Sequence, residues 1–183
     1  IVCGAGSDEI IALLTAAFAG VGDEIIYSEH GFLMYPISAK RVGAKAVIVS
    51  EKNLRTDIEA VIKAVTEKTK IIFIANPNNP TGSYVEEFEI RKLINAVPQN
   101  VLIVLDHAYE EFVDKPDYPN AINLANEFEN VVVTRTFSKI YGLASLRIGW
   151  SYSSEYIAEI LNKVRGPFNV GGPAQFAAIA ALA

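Results

Sequence analysis

Residues 70–82 read Lys70-Ile71-Ile72-Phe73-Ile74-Ala75-Asn76-Pro77-Asn78-Asn79-Pro80-Thr81-Gly82. From Ile71 to Ala75 every position is apolar, so this segment is a strand with no face left for water. The Asn- and Pro-rich run after it stops the strand and builds a rigid polar turn. A strand buried on both faces belongs to a mostly parallel sheet covered by helices on each side. Val101–Leu105 repeats the pattern and ends on Asp106. Further strands are expected at Glu24–Tyr27, Ala46–Val49, Val131–Thr134 and Arg147–Ser151. Helical spacing links Ile58, Val61, Ile62 and Val65; Ile90, Leu93, Ile94 and Val97; and Ile157, Ile160, Leu161 and Val164. No linker, low-complexity tract or repeat breaks the alternation. The chain therefore reads as one α/β unit, three layers α/β/α with a mostly parallel central sheet.

Composition narrows the function classes. The 183 residues are 51% apolar and 20% charged, which excludes a disordered chain. A net charge of −5 with no long basic run speaks against nucleic-acid binding, which needs clustered Lys and Arg. The longest apolar stretch, Ile10 to Val21, is interrupted by Thr15 and Gly20 and is too short to cross a membrane. Cys3 is the single cysteine, so no internal disulfide forms, and Cys3, His30 and His107 lack the spacing of a zinc site. With no secretory signal pattern at the start, these features point to a reducing, cytoplasmic setting. Met34 is the only methionine, and the apolar helical pattern of Gln175–Ala183 runs to the last residue without a cap. The sequence thus reads as a piece of a larger protein, with an apolar patch expected near Phe176–Ala183.

In open α/β sheets, ligands collect outside the carboxyl ends of the strands, and the unusual residues fall there. Gly4-Ala5-Gly6-Ser7-Asp8-Glu9 leads into a helix with Ile10, Leu13 and Leu14 on its apolar face. This start either offers free N–H groups to a phosphate or is a turn capped by Ser7 or Asp8. Its spacing matches neither the dinucleotide fingerprint nor the Walker A loop. Asn79, set between Pro77 and Pro80, could donate its amide to a ligand oxygen, or serve only the turn. Asp106 is a solvated strand end, a cap, or a buried carboxylate in need of a cationic partner; Tyr109 could present its hydroxyl to the same crevice. Thr136, Ser138 and Arg147 make a phosphate cradle of two hydroxyls and a guanidinium fork. Lys139, between hydroxyls and apolar residues, is expected to be partly desolvated, which suits a Schiff-base nucleophile. Phosphate cradle, amide, carboxylate with phenol, and lysine together form the set a pyridoxal-phosphate site requires. A nicotinamide enzyme would need G-x-G-x-x-G and an acidic residue after the second strand, and neither is present.

The series GAGSDE, NPNNPTG, D-x-x-Y and TFSKIYGLASLRIGW resembles the fold-type-I pyridoxal-phosphate aminotransferases, and most closely the histidinol-phosphate aminotransferase family. The resemblance covers nearly the whole chain. It implies that residues 1–183 are most of a cofactor-binding large domain, with an N-terminal arm and a C-terminal small domain outside them. It implies that Lys139 bonds the cofactor and moves the substrate proton, that Asp106 pairs with the pyridine nitrogen, and that Asn79 and Tyr109 bind the phenolic oxygen. Ser7 and Asp8 backbone N–H groups, with Thr136, Ser138 and Arg147, would hold the phosphate. Phe32, in the stretch Phe32–Ala39, would stack on the ring. The implied activity is amino transfer between histidinol phosphate and 2-oxoglutarate in histidine biosynthesis, by a cytoplasmic homodimer acting on small amino and 2-oxo compounds; the piece alone would be inactive. The same motifs fit an aromatic or broad-specificity aminotransferase, a threonine-phosphate decarboxylase, or a truncated fold that turns nothing over. His107 and Ser145 stand where such proteins often have Glu and Gly.

Overall fold

The computed structural model describes residues 1–183 as seven strands and seven α-helices. The strands are β1 (Val2–Gly4), β2 (Glu24–Ser28), β3 (Lys45–Val49), β4 (Thr69–Ala75), β5 (Leu102–Asp106), β6 (Val131–Thr136) and β7 (Gly149–Tyr152). They form a single sheet in the order β1-β7-β6-β5-β4-β2-β3. The five strands from β3 to β6 run parallel, while β7 is antiparallel to both β6 and β1. The mostly parallel sheet inferred from the apolar runs is therefore present, with an antiparallel edge that those runs did not announce.

Alternation along the strands divides the core between two faces. Ile72 and Ile74 of β4, Ile103 and Leu105 of β5, and Val131 and Val133 of β6 join one cluster of 19 buried residues. It is covered by α3 (Ile58–Ala64), α4 (Glu87–Ala96) and α5 (Ala121–Glu127). Ile71, Phe73 and Ala75, Leu102 and Val104, and Val132 point the other way, under α1 (Ser7–Phe18), α2 (Met34–Arg41) and α6 (Glu155–Val164). Three layers result, as the unbroken apolar strands require. A smaller cluster of Phe137, Ile148, Val170, Ala174 and Ala178 seats α7 (Gly172–Leu182). Phe176, Ile179 and Leu182 of α7 are exposed, which is the apolar patch expected there.

Helix starts follow local chemistry. The Asp57 side chain accepts from the Glu59 and Ala60 N–H groups at α3, Asn120 caps α5, and Glu86 with Glu89 form a capping box at α4. Helix α1 differs. Its cap position is Gly6, with φ of 89° and no side-chain cap, so neither Ser7 nor Asp8 serves as one. The first-turn N–H groups of α1 are left to other partners.

One expected strand is corrected. The segment Arg147–Ser151 is strand only from Gly149, because Arg147 has φ 53° and ψ 72°. A left-handed backbone costs a non-glycine residue about 1–2 kcal/mol. The Arg147 side chain offsets this through hydrogen bonds to Asp8, Ala5, Ser138 and Ala144. Gly149 next to it is equally constrained. A Cβ there would lie 2.6 Å from the Ser7 nitrogen, 2.7 Å from the Arg135 oxygen and 2.8 Å from the Gly6 carbonyl carbon, all backbone atoms. Gly149→Ala should therefore cost about 1–3 kcal/mol by overpacking. A denaturant midpoint equal to the parent's would show that the contact between β7 and the start of α1 is loose.

Candidate active site

Strands β4, β5 and β6 are neighbours with matched ends: Ala75 pairs with Asp106, and Asp106 with Thr134. Their carboxyl ends, with the start of α1 and the segment before α2, enclose a cleft of about 490 Å³. All ten residues singled out in the sequence line it. Ser7 and Asp8 come from α1, Phe32 from the approach to α2, and Asn79 from the turn after β4. Asp106 and Tyr109 come from the end of β5 and its loop, and Thr136, Ser138, Lys139 and Arg147 from the connection between β6 and β7.

Asp106 is the most constrained of them. It is 4% exposed, which removes the readings as a solvated strand end or a helix cap. The Tyr35 hydroxyl donates to its Oδ2 at 2.8 Å and the Thr134 hydroxyl to its Oδ1 at 2.9 Å. Burial nevertheless pushes its carboxyl above the usual range, and those two hydrogen bonds with the charges of His107 and Lys139 only partly oppose the shift. Tyr35 is itself fully buried, stacked on Phe73 at 4.6 Å between ring centres, and burial beside Asp106 holds its phenol well above its ordinary value. Phe32 stands edge-on to Tyr35 at 5.9 Å and reaches the cleft.

Around Asn79, the turn is held by its neighbours. Asn76 closes a two-way link through its side chain, donating to the Val85 carbonyl at 3.0 Å and accepting from the Val85 N–H at 2.8 Å. Asn78 donates to Thr81 Oγ1 at 2.9 Å and is buried. The peptide bonds before Pro77 and Pro80 are cis. Asn76 and Asn78 thus serve the turn, and Asn79 is the one that lines the cleft.

At the opposite end, Arg147 Nη2 lies 2.6 Å from Asp8 Oδ1 and Nη1 lies 3.3 Å from Ser138 Oγ. A Cβ on Gly6 would collide with this guanidinium and with Asp8, so only glycine lets the groups converge. Lys139 corrects one expectation. Its side chain is exposed rather than desolvated, with Nζ 5.0 Å from the centre of the Tyr109 ring. The residues that follow, Ile140 and Gly142, are exposed as well, so this chain leaves the lysine side of the cleft open.

The model of class I and II aminotransferases matches residues 1–183. The chain belongs to that family. It is 52% identical over 182 residues to proteins named histidinol-phosphate aminotransferase in Rhodopseudomonas palustris (strain TIE-1) and Paramagnetospirillum magneticum. Each match takes in 100% of this chain and 50% of the relative, so the chain spans about half the length of the curated relatives it matches. The crystal structure of histidinol-phosphate aminotransferase from Sinorhizobium meliloti in complex with pyridoxal-5'-phosphate is similar at a TM-score of 0.93 and 31% identity. That match covers 98% of this chain and 49% of the other. The three-layer fold described above is thus shared with that structure over almost all of this chain.

Two residues of the site escaped sequence reading. In the sequence Thr134 is only the end of a strand, although parallel register alone places it beside Asp106. Tyr35 lies one helical turn after Phe32 and showed no distinguishing pattern; only the packing of α2 brings it 71 positions forward to Asp106.

A titration prediction follows from the Asp106 environment. Because its folded-state pKa is raised, the folded chain holds that proton better than the unfolded chain does. Its contribution is most favourable below the ordinary carboxylate range near pH 4 and is lost as pH rises through the raised value. Asp106→Asn lacks that proton linkage and keeps an acceptor for only one of the two hydroxyls, so the melting temperature of the cofactor-free parent should gain on that of the variant as the pH falls from 7 toward 4. A parent-minus-variant difference that stays flat or shrinks on acidification would contradict the assigned direction.

Proposed function

We propose that this chain is the cofactor-binding part, residues 1–183, of a pyridoxal-phosphate-dependent aminotransferase that transfers an amino group between histidinol phosphate and 2-oxoglutarate. The observation that carries the reading is the single cleft joining Lys139, a buried Asp106 and the Arg147 cradle at the ends of β5 and β6. The family match and the names of the 52% identical relatives support the reaction class and the substrate.

The donor set suits the cofactor. A phosphate needs N–H groups, hydroxyls and a cation, offered by the uncapped start of α1, by Thr136 and Ser138, and by Arg147. Its pyridine nitrogen, when protonated, is the cationic partner that a buried Asp106 lacks within the chain. When bound, the cofactor supplies an electron sink for the carbanion formed at the substrate's Cα. Lys139 would hold the cofactor covalently and would carry the proton at that carbon. Asp106 keeps the pyridine nitrogen protonated, with Tyr35 and Thr134 orienting its two oxygens. Asn79 and Tyr109 hydrogen-bond the phenolic oxygen and favour its ionised form. Phe32 covers one face of the ring.

The parent is proposed to act as a cytoplasmic homodimer, with the single Cys3 in keeping with a reducing compartment. No helix is long and apolar enough to cross a membrane. The open, exposed setting of Lys139 supports the view that this chain by itself captures cofactor without sustaining turnover. Borohydride reduction of the chain mixed with pyridoxal phosphate, followed by peptide mapping, should place the label on Lys139 and lose it in Lys139→Ala. Labels scattered over surface lysines would refute the assignment. Substrate choice is read separately in the full-length protein, where histidinol phosphate with 2-oxoglutarate should exceed aromatic amino donors in kcat/KM by at least about tenfold, the size of one good hydrogen bond.

A further inference from the structure

Beneath the cleft, on the sheet face opposite Asp106, lies a polar network that the proposed chemistry does not use. Its centre is Arg135 on β6, a guanidinium with only 13% of its side chain exposed. Nη1 meets Glu110 Oε2 at 2.7 Å and Nη2 meets Glu111 Oε1 at 2.7 Å. The guanidinium also lies over the Trp150 ring of β7, 5.5 Å from its centre. Two consecutive carboxylates on one fork fix both the position and the rotation of the short 3-10 turn Glu110–Phe112.

A second arm ties in the loop after β5. His107, fully buried, has Nδ1 2.9 Å from Glu110 Oε2 and 3.1 Å from the Tyr118 hydroxyl. Tyr118 gives its own proton to the Asn76 carbonyl, which can only accept, so the phenol oxygen accepts from His107 and Nδ1 carries a hydrogen. Burial raises the Tyr118 phenol further above its ordinary value, which keeps that proton in place. For Glu110, burial acts upward, but hydrogen bonding and charge from His107 and Arg135 outweigh it and hold the carboxyl below the usual range. Asn76 opens the turn that carries Asn79. One connected set of polar contacts therefore anchors both loops that reach into the cleft.

Tyr109 sits between the two anchored points, His107 and Glu110. Lys139 Nζ lies 5.0 Å from its ring centre and the Phe112 ring centre 6.3 Å away, and both of those side chains are exposed and offer little restraint. The position of the Tyr109 hydroxyl is consequently set by the backbone that the network grips. We infer that Arg135, through Glu110 and Glu111, is a positioning residue for Tyr109: its grip holds the Tyr109 hydroxyl where it meets the phenolic oxygen of the cofactor. This rests on the role given to Tyr109 above, and the two can fail separately.

The test uses the full-length protein with pyridoxal phosphate bound, and reads the pH midpoint of the visible absorption of the cofactor linked to Lys139. Tyr109→Phe removes a hydrogen bond that favours the ionised oxygen, so it should raise the midpoint. Glu111→Gln keeps shape but loosens the grip, and should raise it in the same direction, by about threefold to tenfold in the acid constant, the scale of one hydrogen bond. In the Tyr109→Phe background Glu111→Gln should add nothing. A purely electrostatic action of Glu111 has the opposite sign, since losing a nearby negative charge disfavours the protonated linkage and lowers the midpoint. Glu110→Gln serves as the second variant if Glu111→Gln does not fold, with the same expected shift. A midpoint unchanged or lowered by both Gln variants, or shifts that add to that of Tyr109→Phe, would overturn the positioning role while leaving Tyr109 in place. No shift with Tyr109→Phe itself would remove Tyr109 from the site, and the inference with it.

Discussion

A carboxylate held at the edge of a parallel sheet, away from water, is the constraint around which the rest of this structure is arranged. Asp106 ends β5, the strand between β4 and β6, and its two oxygens take hydroxyl protons from Tyr35 and Thr134. Neither donor carries charge, so the site is left with a net preference for a cationic ligand at that point. Everything needed to place those donors is packing. Tyr35 is fixed by its stack on Phe73, and Thr134 by strand register. A one-residue slip of β5 would turn Asp106 to the other face.

That same alternation explains why Asp106 and His107, adjacent in the chain, serve different ends. Asp106 faces the cleft with α1 and α2. His107 faces the α3–α5 side, joined to Glu110 and Tyr118. One face of the strand ends thus lines the cleft, and the other anchors the loops that bring Asn79 and Tyr109 to it. On the second face Arg135 is paired with Glu110 and Glu111, in an environment where an unpaired charge would be costly.

The Arg147 end of the cleft is built by a different device. Helix α1 starts at a glycine without a side-chain cap, β7 approaches it so closely that Gly149 admits no Cβ, and Arg147 adopts a left-handed backbone beside them. In the chain as it stands, the Asp8 carboxylate occupies the guanidinium.

The apolar run Ile71–Ala75 and its partner Val101–Leu105 were by themselves enough to determine a mostly parallel, three-layer arrangement, because a strand with no polar face has no other stable setting. The residues that line the cleft, from Asn79 and Asp106 to Lys139 and Arg147, stand out in the sequence because polar and charged groups directly after buried strands are unusual. Strand β1, the antiparallel edge and the left-handed Arg147 were not legible, since a three-residue strand and a single backbone torsion leave no periodic trace. Tertiary structure alone decided that Tyr35 meets Asp106 across 71 positions, that Lys139 is exposed, and that Arg135 grips the segment carrying Tyr109. The reason is physical: spacing along a chain reports which face of an element a residue occupies, whereas its partners are set by how separate elements pack. Hydrogen bonds between distant hydroxyls, carboxylates and guanidinium groups exist only once that packing is complete.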